Sequence, residues 1–456
     1  MEKADMEKVC INGGHILTCG SGGAVVRLDA SIFVEGDKIT HVGEPTGEYR
    51  ASRADVIIDA KGSAIIPGLI NLHTHSGPMA VRGLAEDLPL TPWLETYVNP
   101  AHKYLTADDA HADYMLSYLE MLRAGITNSL DMYRFVEEGI KAANEIGIRT
   151  NLAPYCADLP QYDYFEDPDE NIRLVNKYSS GAGNASVWLG FEHTTYCTDE
   201  TLAKFGEFAQ KKAVRIHTHE SETKDFVENV RTRFKKGPIE VLKEYGLLGP
   251  RTVLAHCVWL TDQEIEIVSS AGASISHNPT SNAKLASGIA PVARMIQAGI
   301  NIGLGSDGVK ENNRMDLFQE MKTASILQRL LTNDAGVLRA EEVFRMATLN
   351  GNHALGMAAN TGIIAEGFKA DMVLIGLKKP HITPIFGGNR DNILAAIVYA
   401  VEGEDVDTVI VDGKVVLKDR KPVKVNEEEV MDLVRRKSVD LLDRMGLKAR
   451  HDGALG

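Results

Sequence analysis

The sequence holds little that would tie it to a membrane, to nucleic acid or to an oxidising compartment. Nowhere does an uncharged apolar run reach the roughly 18 residues that crossing a bilayer needs. No block of Lys and Arg offsets a formal net charge of −14, which argues against nucleic acid or an anionic lipid surface as the main partner. The five cysteines (Cys10, Cys19, Cys156, Cys197, Cys257) are scattered without C-x-x-C spacing, as expected of unpaired thiols in a reducing compartment. Met1 to Cys10 is charged and lacks the apolar core of a secretory signal, so the expected address is the cytoplasm. Internal repeats and low-complexity segments are also missing.

What is there suits a globular protein of 456 residues, 44% hydrophobic and 25% charged, with a core that needs neither disulfide nor structural metal. The chain divides into three zones. Up to residue 66 it consists of short strand-like pieces, Val9–Leu17, Ala30–Glu35, Lys38–Val42, Val56–Asp59 and Ala64–Ile66, punctuated by Gly, Asp and Asn. From 67 to 358 short apolar runs alternate with longer amphipathic stretches, the pattern of repeated βα units. Eight such runs can be counted: Gly68–His73, Ile126–Met132, Arg149–Pro154, Val187–His193, Val214–His219, Val253–Cys257, Ala273–His277 and Ile302–Asp307. That number matches a closed (β/α)₈ barrel, whose active site gathers at the C-terminal ends of its strands; a doubly wound open sheet is the alternative. From 359 to 456 strand patterns return at Ala370–Ile375, Val406–Val411 and Lys414–Lys418, with Asp412-Gly413 as a hairpin turn and an amphipathic helix over Glu427–Met445. Zones 1–66 and 359–456 are each too small to bury a core, so we expect them to pair into one small β-sandwich beside the barrel.

The chemistry lies at the ends of the runs. His73-Thr74-His75 closes the first one, and residues two apart on a strand point to the same side, so both imidazoles can reach one ion. Alone, H-x-H is weak. However, His193 ends the fourth run, His217 and His219 the fifth, His256 lies in the end of the sixth, His277 ends the seventh and Asp307 the eighth. Imidazoles with one carboxylate suit Zn²⁺ or a similar ion, Fe²⁺ or Mn²⁺ among them. A divalent ion makes water a nucleophile at neutral pH, and Asp307 is placed to orient it and take its proton. Glu222, three residues past His219, is the candidate second acid. Spacing alone leaves open which of His217 and His219 is the ligand.

These stretches resemble the amidohydrolase superfamily, in particular its cytosine-deaminase-like branch of adenosine-type deaminases and triazine hydrolases. The resemblance spans essentially the whole chain. It rests on Pro67-Gly68-Leu69-Ile70-Asn71-Leu72-His73-Thr74-His75, Ile216-His217-Thr218-His219-Glu220-Ser221-Glu222-Thr223, Ala255-His256-Cys257-Val258, Pro279-Thr280-Ser281-Asn282-Ala283-Lys284-Leu285-Ala286-Ser287-Gly288, Gly305-Ser306-Asp307-Gly308 and the tail pattern Glu366-Gly367-Phe368-Lys369-Ala370-Asp371. It implies one metal on His73, His75, His219 and Asp307, with Glu222 as proton shuttle to a ring nitrogen. His256 would polarise or help activate the water, and His217 would lie deeper as a structural residue.

Arg82-Gly83-Leu84-Ala85-Glu86-Asp87-Leu88-Pro89-Leu90-Thr91-Pro92-Trp93-Leu94 is similar to the corresponding loop of 5′-methylthioadenosine/S-adenosylhomocysteine deaminases. This implies that Glu86 grips ribose hydroxyls, with Trp93 and His193 also at the substrate, and that Arg149 and Arg173 take a homocysteine carboxylate; the alternatives are a barrel-bottom salt-bridge residue for Arg149 and a solvated helix residue for Arg173. One departure stands out. The family's P-H-x-P-Y is replaced by Glu192-His193-Thr194-Thr195-Tyr196, so both prolines are gone.

The function expected is hydrolytic deamination of an adenine nucleoside, with release of ammonia. The same chemistry on a triazine, guanine or pterin ring is the nearest rival. A non-catalytic barrel scaffold is disfavoured because no implied ligand is missing. Relatives of this kind suggest a homodimer or homotetramer.

Overall fold

In the computed structural model, residues 7–19, 25–47 and 49–448 are described. Short apolar segments run parallel around a ring: Leu69–Thr74, Ile126–Tyr133, Arg149–Pro154, Ala185–Val187 continued by Leu189–Gly190, Ile216–Glu220, Thr252–His256, Ser274–His277 and Asn301–Leu304. Each pairs with the next in parallel register, in two arcs of four and five strand segments. Two backbone bonds bridge the arcs: the Trp188 N–H donates to Leu152 O at 2.8 Å, and the Asp307 N–H to His73 O at 3.0 Å. The ring is therefore closed, a (β/α)₈ barrel. Every residue of Ile126–Tyr133 and of Arg149–Pro154 is buried, as befits parallel strands covered on both faces.

The barrel interior is filled from several strands at once. Ile70 and Leu72, Leu130, Trp188 and Val253 share one apolar cluster with Ala354 and Leu355, which follow the last strand. Residues from opposite sides of a ring can meet only inside it. Trp188 also accounts for a departure from the expected fourth run, Val187–His193. Its strand breaks there, the first piece pairing with the third strand and the second with the fifth. The eighth ladder likewise ends at Leu304, short of Asp307, whose φ of 61° turns the chain out of the sheet.

Both ends of the chain build the β-structure beside the barrel. One sheet has the order Lys38–Gly43, Ser31–Glu35, Lys8–Asn12, Val56–Asp59. The other runs Lys421–Pro422, Lys414–Lys418, Val406–Val411, Met372–Gly376, Ser63–Pro67, His15–Cys19, Val25–Asp29. Ile11, Ile32 and Val34 of the first sheet share an apolar cluster with Ile16, Ile65, Met372 and Ile410 of the second. The expected strand Val9–Leu17 is in fact two strands in different sheets. Gly13 and Gly14 break it at φ 72° and 126°, and a Cβ on Gly14 would strike Ile65 and Ala60. Val25–Asp29 was not expected from the sequence. In the third zone, the helices Ile393–Tyr399 and Glu427–Arg444 pack on barrel helices, Leu317–Thr332 and Ala107–Arg123 respectively, instead of extending the sandwich.

Candidate metal centre and substrate pocket

The C-terminal ends of the first, fifth, sixth and eighth strands bring His73, His75, His219, His256 and Asp307 together, all at most 6% exposed. His73 Nε2 and His75 Nε2 each lie 3.4 Å from Asp307 Oδ1. His75 Nε2 faces His219 Nε2 at 3.1 Å. Non-glycine residues in the left-handed region cluster here, with φ 72° at His256, 51° at Cys257 and 61° at Asp307. Such conformations persist only where the surroundings enforce them.

The outer partners dictate which nitrogens are free. His75 Nδ1–H donates to Met132 O at 2.6 Å, and His219 Nδ1–H to Glu192 O at 2.7 Å. His217 Nδ1–H donates to Val253 O at 2.9 Å, leaving its Nε2 to accept the His73 Nδ1–H at 2.8 Å. The Nε2 lone pairs of His73 and His75 therefore face one Asp307 oxygen, that of His219 faces His75 Nε2, and His73 Nε2 has no hydrogen-bond partner. Burial first, then Lys310 and His73, holds His75 well below the usual imidazole range. Burial, then His73 and His75, does the same for His219. Neutral imidazoles and an ionised carboxylate make a donor set for one divalent cation, and the chemistry of three nitrogens with one oxygen suits zinc. His217, which the sequence left undecided, orients His73 from beneath and does not reach the centre.

Two further acids and bases flank these donors. His256 Nδ1 donates to Asn282 Oδ1 at 2.8 Å. Its Nε2 lies 3.8 Å from Asp307 Oδ2 and 3.9 Å from Glu222 Oε2. Burial pushes Glu222 upward, partly opposed by His256, and its Oε1 accepts the Ser287 hydroxyl at 3.0 Å. His256 is raised despite burial, by Glu222 and Asp307. Burial alone would raise Asp307, but His73, His256 and His75 hold it well below the carboxylate range. Ser281 donates to Asp307 Oδ2 at 2.6 Å and the Gly308 N–H to Oδ1 at 2.9 Å. Sequence reasoning assigned no role to Ser281, Asn282 or Ser287, although all three stand in one motif of the resemblance. The carbonyls of Met132, Glu192 and Val253 carry no sequence signal at all. His277, last in the seventh strand, stays outside the cluster with both ring nitrogens unpartnered, and burial takes it down to about 3.

The residues expected to bind substrate have these surroundings. His193 stacks on Phe226 with ring centroids 5.1 Å apart, and its Nε2 lies 3.7 Å from Glu220 Oε1. Glu86 is half-buried, holding Lys284 Nζ at 2.8 Å and accepting the Asn313 amide at 2.8 Å. Burial would raise Glu86, but those two partners bring it below its ordinary value. Trp93 is buried with Met132, Tyr155 and Phe226, and Lys310 Nζ lies 5.7 Å from its ring centroid.

The two arginines are a correction. Arg149 begins its strand, so it lies at the end of the barrel away from the ligands. There its guanidinium bonds Asp371 at 2.8 Å and Asp412 at 2.5 Å, joining barrel to sandwich. Arg173 lies half-exposed on the helix Pro168–Tyr178, paired with Glu170 at 2.6 Å and Glu137 at 3.7 Å. Both guanidinium groups are spent on local carboxylates, and neither faces the pocket.

Residues 64–416 match the family described as the Amidohydrolase family. The 5′-deoxyadenosine deaminase of Methanosarcina mazei is 38% identical over 442 residues, covering 96% of this chain and 100% of the relative. The 5-methylthioadenosine/S-adenosylhomocysteine deaminase of Pyrococcus abyssi is 36% identical over 429 residues, 93% of this chain and 97% of that one. Among solved structures, a zinc-bound adenosine deaminase from Xanthomonas campestris superposes with a TM-score of 0.88 at 27% identity, covering 96% of this chain and 98% of that one. A zinc complex of atrazine chlorohydrolase from Arthrobacter aurescens shares the fold, with a TM-score of 0.86 at 24% identity over 94% of this chain and 100% of the other.

Proposed function

The chain belongs to the amidohydrolase family, and on that premise we propose that it hydrolytically deaminates an adenine nucleoside, converting it to the inosine analogue with release of ammonia. The relatives' substrates set the panel: 5′-deoxyadenosine, 5′-methylthioadenosine, S-adenosylhomocysteine and adenosine. The observation that carries the reading is the convergence of three histidine Nε2 lone pairs and Asp307 beside a buried acid, Glu222.

His73, His75, His219 and Asp307 would hold the ion, Zn²⁺ by preference, with Fe²⁺ and Mn²⁺ as chemically similar alternatives. When bound, such an ion supplies Lewis-acid activation of water at neutral pH. The remaining work falls to side chains of the chain itself. His256 Nε2 and Asp307 Oδ2, 3.8 Å apart, are placed to take the proton shed by the attacking water. Glu222 Oε2, whose carboxyl burial pushes upward, is placed to deliver a proton to the ring nitrogen beside the carbon that loses ammonia. Atoms balance: water adds across the C–N bond, the ring nitrogen gains a proton, and ammonia leaves with the second. Asn282 fixes the His256 tautomer and Ser281 aims Asp307. Glu86, His193 and Trp93 form the wall along which the sugar side would lie.

The cytoplasm is the compartment we propose, supported by five buried, unpaired cysteines. A homodimer or homotetramer is proposed on the resemblance alone. Residues 67–358 are taken as the hydrolase unit, with 1–66 and 359–456 as its flanking domain.

The test is ammonia release by zinc-loaded protein from adenosine, 5′-deoxyadenosine, 5′-methylthioadenosine, S-adenosylhomocysteine, guanine and a triazine. Turnover confined to the nucleosides supports the reading. Turnover of the free rings alone transfers the same centre to another heterocycle and removes the sugar-binding role of Glu86.

A further inference from the structure

Glu192 stands where the family has a proline, and no part of the reaction described so far uses its carboxyl group. The side chain is 5% exposed. Its Oε1 accepts one long hydrogen bond, from the Tyr155 hydroxyl at 3.4 Å, and its Oε2 has no partner. Among the described residues no Lys or Arg pairs with it; the nearest basic atom is His219 Nδ1, at 3.8 Å, whose proton already goes to the Glu192 carbonyl. A buried carboxyl oxygen without a donor is unfavourable, and such positions in proteins are filled from water or a ligand.

Its surroundings indicate which ligand. Burial pushes the carboxyl up to about 7, the charges of His193, Glu222 and His256 are near enough to act on it, and Tyr155 reaches it from an aromatic wall. Tyr162 and Tyr196 continue that wall, stacked with centroids 4.1 Å apart. They open on a cavity of about 820 Å³ that Thr195, Tyr196 and Phe226 also line. A nucleoside with its amino group at Glu222 and His256 turns its 5′ end away from them, towards this exit. Arg149 and Arg173 lie elsewhere, and Arg233, which lines this cavity, is paired with Asp199 at 2.5 Å; a carboxylate set against Glu192 itself would meet no Lys or Arg partner there.

We propose that Glu192 is a specificity-determining residue that accepts a hydrogen bond from a hydroxyl or ammonium donor on the 5′ substituent of the substrate. This rests on the deaminase reading above. It ranks 5′-amino-5′-deoxyadenosine and adenosine above 5′-deoxyadenosine, and all three above adenosine 5′-carboxylate.

The experiment compares kcat/KM of zinc-loaded wild type, Glu192→Gln and Glu192→Leu on those four compounds. A hydrogen bond to a charged acceptor changes binding by about ten- to a hundredfold. The adenosine to 5′-deoxyadenosine ratio should fall by that factor in Glu192→Leu, chiefly through KM. Glu192→Gln, which still offers a carbonyl oxygen, should keep the hydroxyl preference and lose the ammonium one; it carries the test if the leucine variant does not fold. A ratio unchanged in both variants overturns the proposal. So does an equal loss on every compound, which would make Glu192 a support for His219. If wild type turns over no adenine nucleoside, the deaminase reading itself fails and this inference falls with it.

Discussion

His75 Nε2 and His219 Nε2 face each other across 3.1 Å, although both imidazoles have already donated their Nδ1 protons to the carbonyls of Met132 and Glu192. Two lone pairs at that distance repel unless a cation lies against them. The pair is held for an ion by the backbone of the neighbouring strands.

Removing zinc should therefore cost stability as well as activity. An ion present at about a hundred times its dissociation constant stabilises the folded chain by about 2.7 kcal/mol. Melting curves with zinc and after chelation should separate by several degrees, and ammonia release should stop on chelation and return with zinc. Coincident curves would refute the metal centre.

His217 should act on the ion without touching it. It fixes the tautomer of His73 through a 2.8 Å hydrogen bond, and loss of such an outer partner weakens metal binding by about 10- to 100-fold. In a competition with a calibrated chelator, His217→Phe should release zinc earlier than wild type yet still bind one equivalent. Complete loss of zinc would mean that His217 is itself a ligand.

Glu222→Gln keeps the shape of the pocket and removes the proton that the ring nitrogen needs. Turnover should fall by about 10²–10⁴-fold while zinc content stays at one per chain. Near-normal turnover with zinc intact would assign the acid elsewhere, with His256 the next group to examine.

Glu320 gives a pH dependence that can be measured apart from the chemistry. It is fully buried, and burial pushes it up to about 8, although Thr280 N–H and the Asn312 amide both donate to it. Between its unfolded value of about 4.3 and that raised folded value, the folded chain keeps a proton that the unfolded chain has released. The contribution of Glu320 is thus full below the lower value and is lost as pH rises through the upper one. At saturating zinc, the stability of Glu320→Gln relative to wild type should improve between about pH 5 and pH 8, by an amount on the order of a few kcal/mol. A constant difference would show that Glu320 does not titrate in this window.

Arg149 and Arg173 should behave as structural and solvent-exposed groups respectively. Arg149→Ala leaves Asp371 without its cation where barrel meets sandwich, while Asp412 keeps Lys369 at 2.7 Å, at a cost of about 3–5 kcal/mol. Its melting temperature should drop, with the ranking of substrates unchanged. Arg173→Ala should alter neither, since exposed pairs contribute little. A selective loss of S-adenosylhomocysteine turnover in either variant would restore the carboxylate clamp.

Much of the barrel was legible because parallel strands buried on both faces must be apolar and end abruptly at the mouth, where chemistry can be carried. Between the two readings of Arg149, carboxylate clamp or barrel-bottom salt bridge, its position already spoke for the second: it opens its run, and the first residue of a barrel strand lies at the end remote from the site. The break in Val9–Leu17 was readable as well, at Gly13-Gly14.

Other features were not readable in this way. His217 and His219 share one strand face and one residue type, so the sequence by itself determined only that an imidazole from this strand would reach the ion. The tertiary structure turns His219 Nε2 towards His75 Nε2 and His217 Nε2 towards His73 Nδ1, because the carbonyl that holds the His219 Nδ1 proton belongs to Glu192, while Val253 takes that of His217. The sequence also determined the type of donor, three imidazoles and a carboxylate, since side-chain chemistry is local. Which lone pairs are free, and which carboxyl is left without a partner in the pocket, depends on backbone groups up to 57 residues away along the chain, and only the closed ring of strands brings those into contact.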